Sequence, residues 1–518
     1  MISELKITKS PEASFRMISL LTFIVYLICC FLGWFNFLLA KIYDKIYYPL
    51  RSYVTLFDKE NITNLSKVSK DIFNLGGYKA LIDTSFPYKL IDDFFFLIIS
   101  ISLIVLFFIG YRLVKTGKIN QTQIIIWSFV FSVIMTLSIP SHSSDLFGYI
   151  ARGAQQSVYH QNPYLHTVSE INNYKQNPLF FNFMWPKQPT TYGTVFIFIT
   201  KTIVSLSNND LLMAFLNFKL LNLIIYLFLV LHLIKHFNTE DIYLIAWNPL
   251  LLIQGLWNCH NDLISGMLIF FGIYYFVSKS ENKLNVFVGM FCLTLACGIK
   301  YVSLLILPFI IVYLIRNKFN IRSVLNVILG FVCGCILITV FSIDYITFFN
   351  SINQESFLKI SDNINLVHKS LIATIFTVVK YLIKFVHIEF DKWILLETIK
   401  YSVYSTFAFF YFYMLFKTKQ NFVQDIALIL IIFFGFTIAK FHSWYWLNVI
   451  LLIPMLEKSL LRNLLITLSI THVFAITFLD QAKILNFTCM TLIPAIIIIY
   501  LFKQPALQQS LYKKLINW

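Results

Sequence analysis

Long apolar runs alternate with short polar connections along most of the chain. Clear runs fall at 17–40, 93–113, 121–140, 211–235, 323–345, 399–417, 425–441, 461–479 and 485–502. Shorter or interrupted ones fall at 192–207, 241–256, 261–278, 284–299, 301–315, 368–387 and 444–456. About 20 apolar residues in a helix cross a bilayer core of roughly 30 Å. Backbone polar groups in lipid must be satisfied within their own segment, which favours helices. The pattern therefore predicts an all-α, polytopic membrane protein of about 12–15 transmembrane helices, the spread arising because short runs can re-enter. Three polar stretches interrupt it: 41–92, 141–193 and 346–367. They divide the chain into an N-terminal membrane region, 1–120, with an outer loop 41–92; a core, 121–460, with an outer loop 141–193; and C-terminal helices with a short basic tail, 461–518.

Composition agrees. The 518 residues are 58% hydrophobic and 13% charged, against about 25% charged in soluble proteins. The first run is too long and bulky for a cleaved signal peptide, so it reads as a retained span. The net charge of +16 sits largely in short connections, such as Lys115 with Lys118 and Arg316 with Arg322. Cytoplasmic loops and anionic lipid account for that excess, and no motif supports nucleic-acid binding. The connection 114–120 is placed in the cytoplasm, span 121–140 runs outward, and residue 145 lies outside. The eight cysteines lie in or beside apolar runs and form neither a disulfide framework nor a zinc pattern.

Polar residues at span edges carry the candidate chemistry. In "SIPSHSSDLFGYIARG" a carboxylate, Asp145, follows a span directly, and Ser143 or Ser144 is placed to cap a new helix. Tyr149 and Arg152 follow on the same helical face. An ordinary first-turn acid with interfacial Tyr and Arg fits that stretch equally. "HQNPYL" and "PTTYGTVF" place Asn162, Tyr164 and Tyr192 in the same loop, where hydroxyl-bearing aromatics and amides suit a sugar. "AWNPLLLIQGLWNCHNDLISG" sets Asn248, Asn258, His260, Asn261 and Asp262 between apolar runs, where polar groups are costly. A polar pocket wall fits these better than a metal site, and a structural helix break fits too. Lys300 lies inside an apolar run, either to meet a lipid phosphate or to snorkel; Lys219 raises the same question. Trp444 and Tyr445, with His442, sit at a span edge, as an aromatic belt would.

Taken together, the order and spacing of these stretches resemble the GT-C superfamily of membrane glycosyltransferases. The nearest likeness is to bacterial polyprenol-phosphate-mannose-dependent α-1,6-mannosyltransferases. The resemblance rests on Ser144-Asp145, Tyr149, Gly153, Asn162-Pro163-Tyr164, Tyr192-Gly193, Asn248-Pro249, His260-Asn261-Asp262, Lys300 and Trp444-Tyr445, and covers roughly 120–455. Trp257 and Cys259 stand where the family pattern suggests small residues. The resemblance implies Asp145 as general base on the outer face of a bacterial plasma membrane. It implies Tyr149, Asn162, Tyr164, Tyr192, His260, Asn261, Asp262, Lys300, Trp444 and Tyr445 as substrate-binding residues, and Arg152, on the same helical face as Asp145, is expected to join them. The donor it implies is a polyprenyl-phosphate-linked hexose, mannose by family. The partners are membrane lipid and a lipid-linked or cell-envelope glycan acceptor, with inversion at the anomeric carbon. No cofactor or metal ligand set is expected, although a divalent ion is left open. An envelope polysaccharide polymerase or flippase is the alternative; a transporter would show matching broken-helix halves, and none is evident. One conflict remains in the span count: three full crossings at 192–207, 211–235 and 241–256 would put Asp145 and His260 on opposite sides.

Overall fold

The computed structural model describes residues 10–57, 86–140, 143–181, 183–278, 283–317, 320–342, 369–417, 421–476 and 487–503. These residues are predominantly helical, with no strand among them. The polar stretch 346–367 and the tail from 504 lie outside them, as does 58–85 within the proposed first outer loop. The start of that loop belongs to a helix instead: α1 runs from Pro11 to Phe57. Helix α2 spans Phe86–Lys115 and α3 Gln121–Leu137. Among the described residues, four helical stretches are long and apolar enough to cross a membrane: Pro11–Trp34, Phe94–Lys115, Leu211–His236 and Ile321–Phe341. The other apolar helices are shorter, because several spans are broken by π or 3-10 winding. Such breaks are frequent at functional sites.

The span-count conflict is resolved between residues 145 and 260. Helices α4 (Asp145–Ser157) and α5 (Thr194–Leu206) have 13 residues each. At 1.5 Å per residue that is about 20 Å, too short to cross. They run side by side in the same direction: the Tyr149 ring meets Tyr192 and Phe196, Gly153 lies against Thr200 and Val204, and Ser157 reaches Asn209. The intervening segment brings the chain back to its starting level, so 192–207 adds no crossing. Helix α6 (Leu211–His236) then descends, with Asp210 capping its start by accepting from Met213 N. Helix α7 (Thr239–Ala246) and a π-wound segment, Leu251–Trp257, climb back. His260 therefore returns to the level of Asp145.

Lys219 on α6 explains how the π-wound segment can end inside the protein. Its ammonium donates to the carbonyls of Leu256 at 2.8 Å, Trp257 at 2.6 Å and Met135 at 3.3 Å. These carbonyls lie at ends of helical segments, where intrahelical partners are missing. Lys219 is thus a fully engaged structural cation.

The remaining core elements are α8 (Asp262–Val277), α9 (Lys283–Ile299), α10 (Leu307–Arg316), α11 (Ile321–Phe341), α12 (Leu371–Phe385), α13 (Lys392–Phe416), α14 (Phe422–Ile432), α15 (Leu447–Ile450), α16 (Leu460–Thr471) and α17 (Ile493–Lys503). Gly266 lets α8 lie directly on the backbone of α15; an added Cβ would collide with the Leu447 carbonyl and sit 3.1 Å from Asn448 Cα. Overpacking typically costs about 1–3 kcal/mol. Gly266→Ala is accordingly expected to lower the Tm of detergent-solubilised protein in a thermal-shift assay. An unchanged Tm would show that the two helices part without cost.

Candidate active site

Helix starts and helix breaks converge where α4, α5, α8 and the segment before α15 meet. Asp145 opens α4. Ser144 takes the N-cap position without a capping side-chain bond, and the Asp145 backbone N–H donates instead to Ser143 Oγ at 3.2 Å. The dipole of α4 favours the ionised carboxylate at this position. Asp145 Oδ2 lies 3.2 Å from His260 Nδ1, and the Asp145 side chain keeps 19% of its surface exposed while His260 keeps none. Burial raises the proton affinity of Asp145, but the His260 ring and the Lys300 and Lys440 cations outweigh it and hold the carboxyl below its ordinary value.

His260 is turned toward Asp145 by a tight break. Its N–H donates to the Gln254 carbonyl at 3.0 Å, and the preceding Cys259 has φ 59°. That left-handed conformation is uncommon for a non-glycine residue. It gives a physical reason for the small residue that the family pattern suggests at 259. The His260 ring stacks on Trp444 with centroids 3.9 Å apart, and Trp444 stacks on His442 at 4.2 Å. The aromatic pair at 444–445 is therefore a wall of this site, not a membrane belt.

Asp262 begins α8 and is wholly buried. Lys300 Nζ donates to its two oxygens at 2.7 and 2.6 Å, and Asn448 Nδ2 donates to Oδ1 at 2.7 Å. A buried carboxylate needs such partners, since an unpaired charge costs several kcal/mol. Lys300 also stands 4.5 Å from the centroid of the Tyr445 ring. It neither snorkels nor waits unpaired. Tyr149 OH donates to Asn261 Oδ1 at 3.3 Å and accepts from Asn261 N at 3.3 Å, which ties α4 to the start of α8.

Four sequence-derived residues lie one step back. Arg152 bonds Gln155 Oε1 at 2.8 Å, donates to the Gln188 carbonyl and packs on the Phe183 ring, so it anchors the returning loop. Asn162 accepts from Tyr164 N at 2.9 Å in a local turn. Tyr164 OH donates to the Tyr192 carbonyl at 2.8 Å and so braces Tyr192. Asn248 closes the start of the π-wound segment by accepting from Leu250 N at 3.0 Å.

Other polar atoms remain open. His260 Nε2, Asn261 Nδ2 and Asn448 Oδ1 are buried and have no hydrogen-bond partner among the described residues. Orphans of this kind are rare in folded interiors, and three on residues that neighbour Asp145 and Asp262 suit a polar ligand. Sequence reasoning did not single out Asn448 or Lys440, although both lie in the stretch "KFHSWYWLNVILLIP" at 440–454. A polar residue inside an apolar run was the available signal for Asn448. Among the described residues, no three His, Cys, Asp or Glu side chains are grouped to hold a metal ion.

No curated protein and no solved structure gave a match. Residues 85–316 match the family model described as alpha-(1->6)-mannopyranosyltransferase, N-terminal domain. The matched segment carries Asp145, Tyr149, Tyr192, His260, Asn261, Asp262 and Lys300, and the match supports what the sequence resembles: a GT-C-like mannosyltransferase.

Proposed function

We propose that the protein transfers a mannosyl residue from a polyprenyl-phosphate-linked donor to a hydroxyl of a lipid-linked or cell-envelope glycan, inverting the anomeric carbon, with Asp145 as general base. The observation that carries this reading is the partly exposed Asp145 carboxylate beside a buried set of unpartnered polar atoms on His260, Asn261 and Asn448. In the proposed reaction Asp145 accepts the proton of the acceptor hydroxyl as that oxygen bonds the anomeric carbon. The bond from that carbon to the phosphate oxygen breaks, and the phosphate departs with the electron pair. Tyr149, Tyr192, His260, Asn261, Trp444 and Tyr445 form the wall against which the sugar is held. Asp262 and Lys300 fix the start of α8 and so the position of that wall. A lipid-borne donor suits the surroundings: Tyr301 and Leu304, next to Lys300, are 56% and 50% exposed, an apolar approach from the membrane side.

Charge distribution supports an outward site. The opposite end of the helices carries Arg112, Lys115, Lys118, Lys235, Arg316 and Lys458, the excess expected of cytoplasmic loops. In cysteine-substituted protein in intact cells, Lys175→Cys is expected to label with an impermeant maleimide and Lys118→Cys only after permeabilisation. The reverse pattern would turn the topology over. The reaction itself is tested with purified protein, an α-mannoside acceptor and synthetic polyprenyl-phosphate mannose, glucose and arabinose. Transfer from the mannose donor alone is expected; transfer from a different donor only, or from none, removes the proposal.

A further inference from the structure

The cations around this site differ in how far they are committed. Lys300 gives its ammonium to both oxygens of Asp262, Lys219 to three carbonyls, and Arg152 to Gln155 and the Gln188 carbonyl. Lys440 is unlike them. It follows the π-wound segment Phe433–Thr437 and precedes His442 and Trp444, the rings stacked in line with His260. Its side chain is part-buried. Among the described residues its ammonium makes no hydrogen bond or ion pair and instead lies 4.8 Å from the centroid of the Trp185 ring, on the loop that returns to α5. A cation–π contact with an exposed ring is weak and yields readily to an anion.

Resting on the functional reading above, we infer that Lys440 binds the phosphate of the lipid-linked donor and of the polyprenyl phosphate that leaves, with the Trp185 ring holding its ammonium in place until the phosphate arrives. The electron pair of the breaking anomeric carbon–oxygen bond stays on that phosphate, whose added negative charge Lys440 meets, while the acceptor's proton goes to Asp145. Lys440 also helps to hold the Asp145 carboxyl down. A phosphate on Lys440 would relax that hold and make Asp145 a stronger base only when donor is bound.

Binding of undecaprenyl phosphate, of the matching polyprenol and of phosphatidylglycerol to the full-length protein in detergent, read by native mass spectrometry, tests this. Lys440→Gln is expected to weaken undecaprenyl phosphate about 10- to 100-fold, leave the polyprenol unchanged, and be rescued by Lys440→Arg; Lys440→Met replaces the Gln variant if that one fails to fold. Parent-like affinity in both neutral variants overturns the inference. So does a parallel loss of phosphatidylglycerol, which would make Lys440 a general headgroup contact. A parent protein that binds the polyprenol as tightly as the phosphate instead removes the functional reading itself.

Discussion

Asp145→Asn is expected to lower mannosyl transfer by about 10²–10⁴-fold, the usual range for loss of a general base, while expression and Tm stay near those of the parent. The substitution keeps size and most hydrogen bonding but cannot accept a proton. Asp145 is partly exposed, and an asparagine oxygen can still face His260 Nδ1, so the fold should tolerate the change. A pH profile of kcat/KM separates this role from mere positioning. His260, Lys300 and Lys440 hold the carboxyl below its ordinary value, so the base stays ionised through the neutral range. The acid limb of the profile should then lie below the usual carboxylate value. Removing a cation raises the carboxyl, so Lys440→Gln should move that limb to higher pH. Parent-level transfer by Asp145→Asn would dismiss Asp145 as the base.

Much of this site was legible because polar residues are costly between apolar runs. That cost marks His260-Asn261-Asp262 and Lys300, whereas Asp145 stands out only through the order and spacing of the motifs around it. What the sequence could not supply was pairing. Lys300 looked like a lone cation with a phosphate to find or water to reach, yet its partner, Asp262, stands 38 residues away on another helix. Lys219 looked similar, yet it closes the carbonyl end of a π-wound segment that no periodicity announces. The crossing count failed for a related reason. Residues 192–207 are apolar enough for a short span, but their apolar face packs along α4 at the site end. Hydropathy reports that a face is buried and not what buries it. Arg152 and Tyr164 show the limit of motif reasoning: both serve the site by anchoring the loop and Tyr192.

The pairing also changes what substitution of Lys300 should do. A lysine that merely snorkelled would be replaced by methionine at no cost, since a lone charge in mid-membrane costs about 2.5–3.5 kcal/mol. With Asp262 wholly buried and held at 2.6 and 2.7 Å, Lys300→Met instead strands a carboxylate. Breaking one side of a buried pair costs about 3–5 kcal/mol. Asn448 Nδ2 still bonds Asp262 Oδ1, but one neutral donor does not replace an ammonium that serves both oxygens. The expected outcome is a large fall in Tm for Lys300→Met and a smaller one for Asp262→Asn, which keeps a polar group for Asn448 without the charge. Combining the two should recover much of the stability, because no charge is then left uncompensated. Activity should not recover in the double variant, since the α8 start that carries His260 and Asn261 has lost its anchor. Thermal unfolding of the parent, both single variants and the double variant forms a complete cycle. Additive changes in that cycle would mean that Lys300 and Asp262 do not act as a pair, and would return the Lys300 ammonium to the candidates for the donor phosphate.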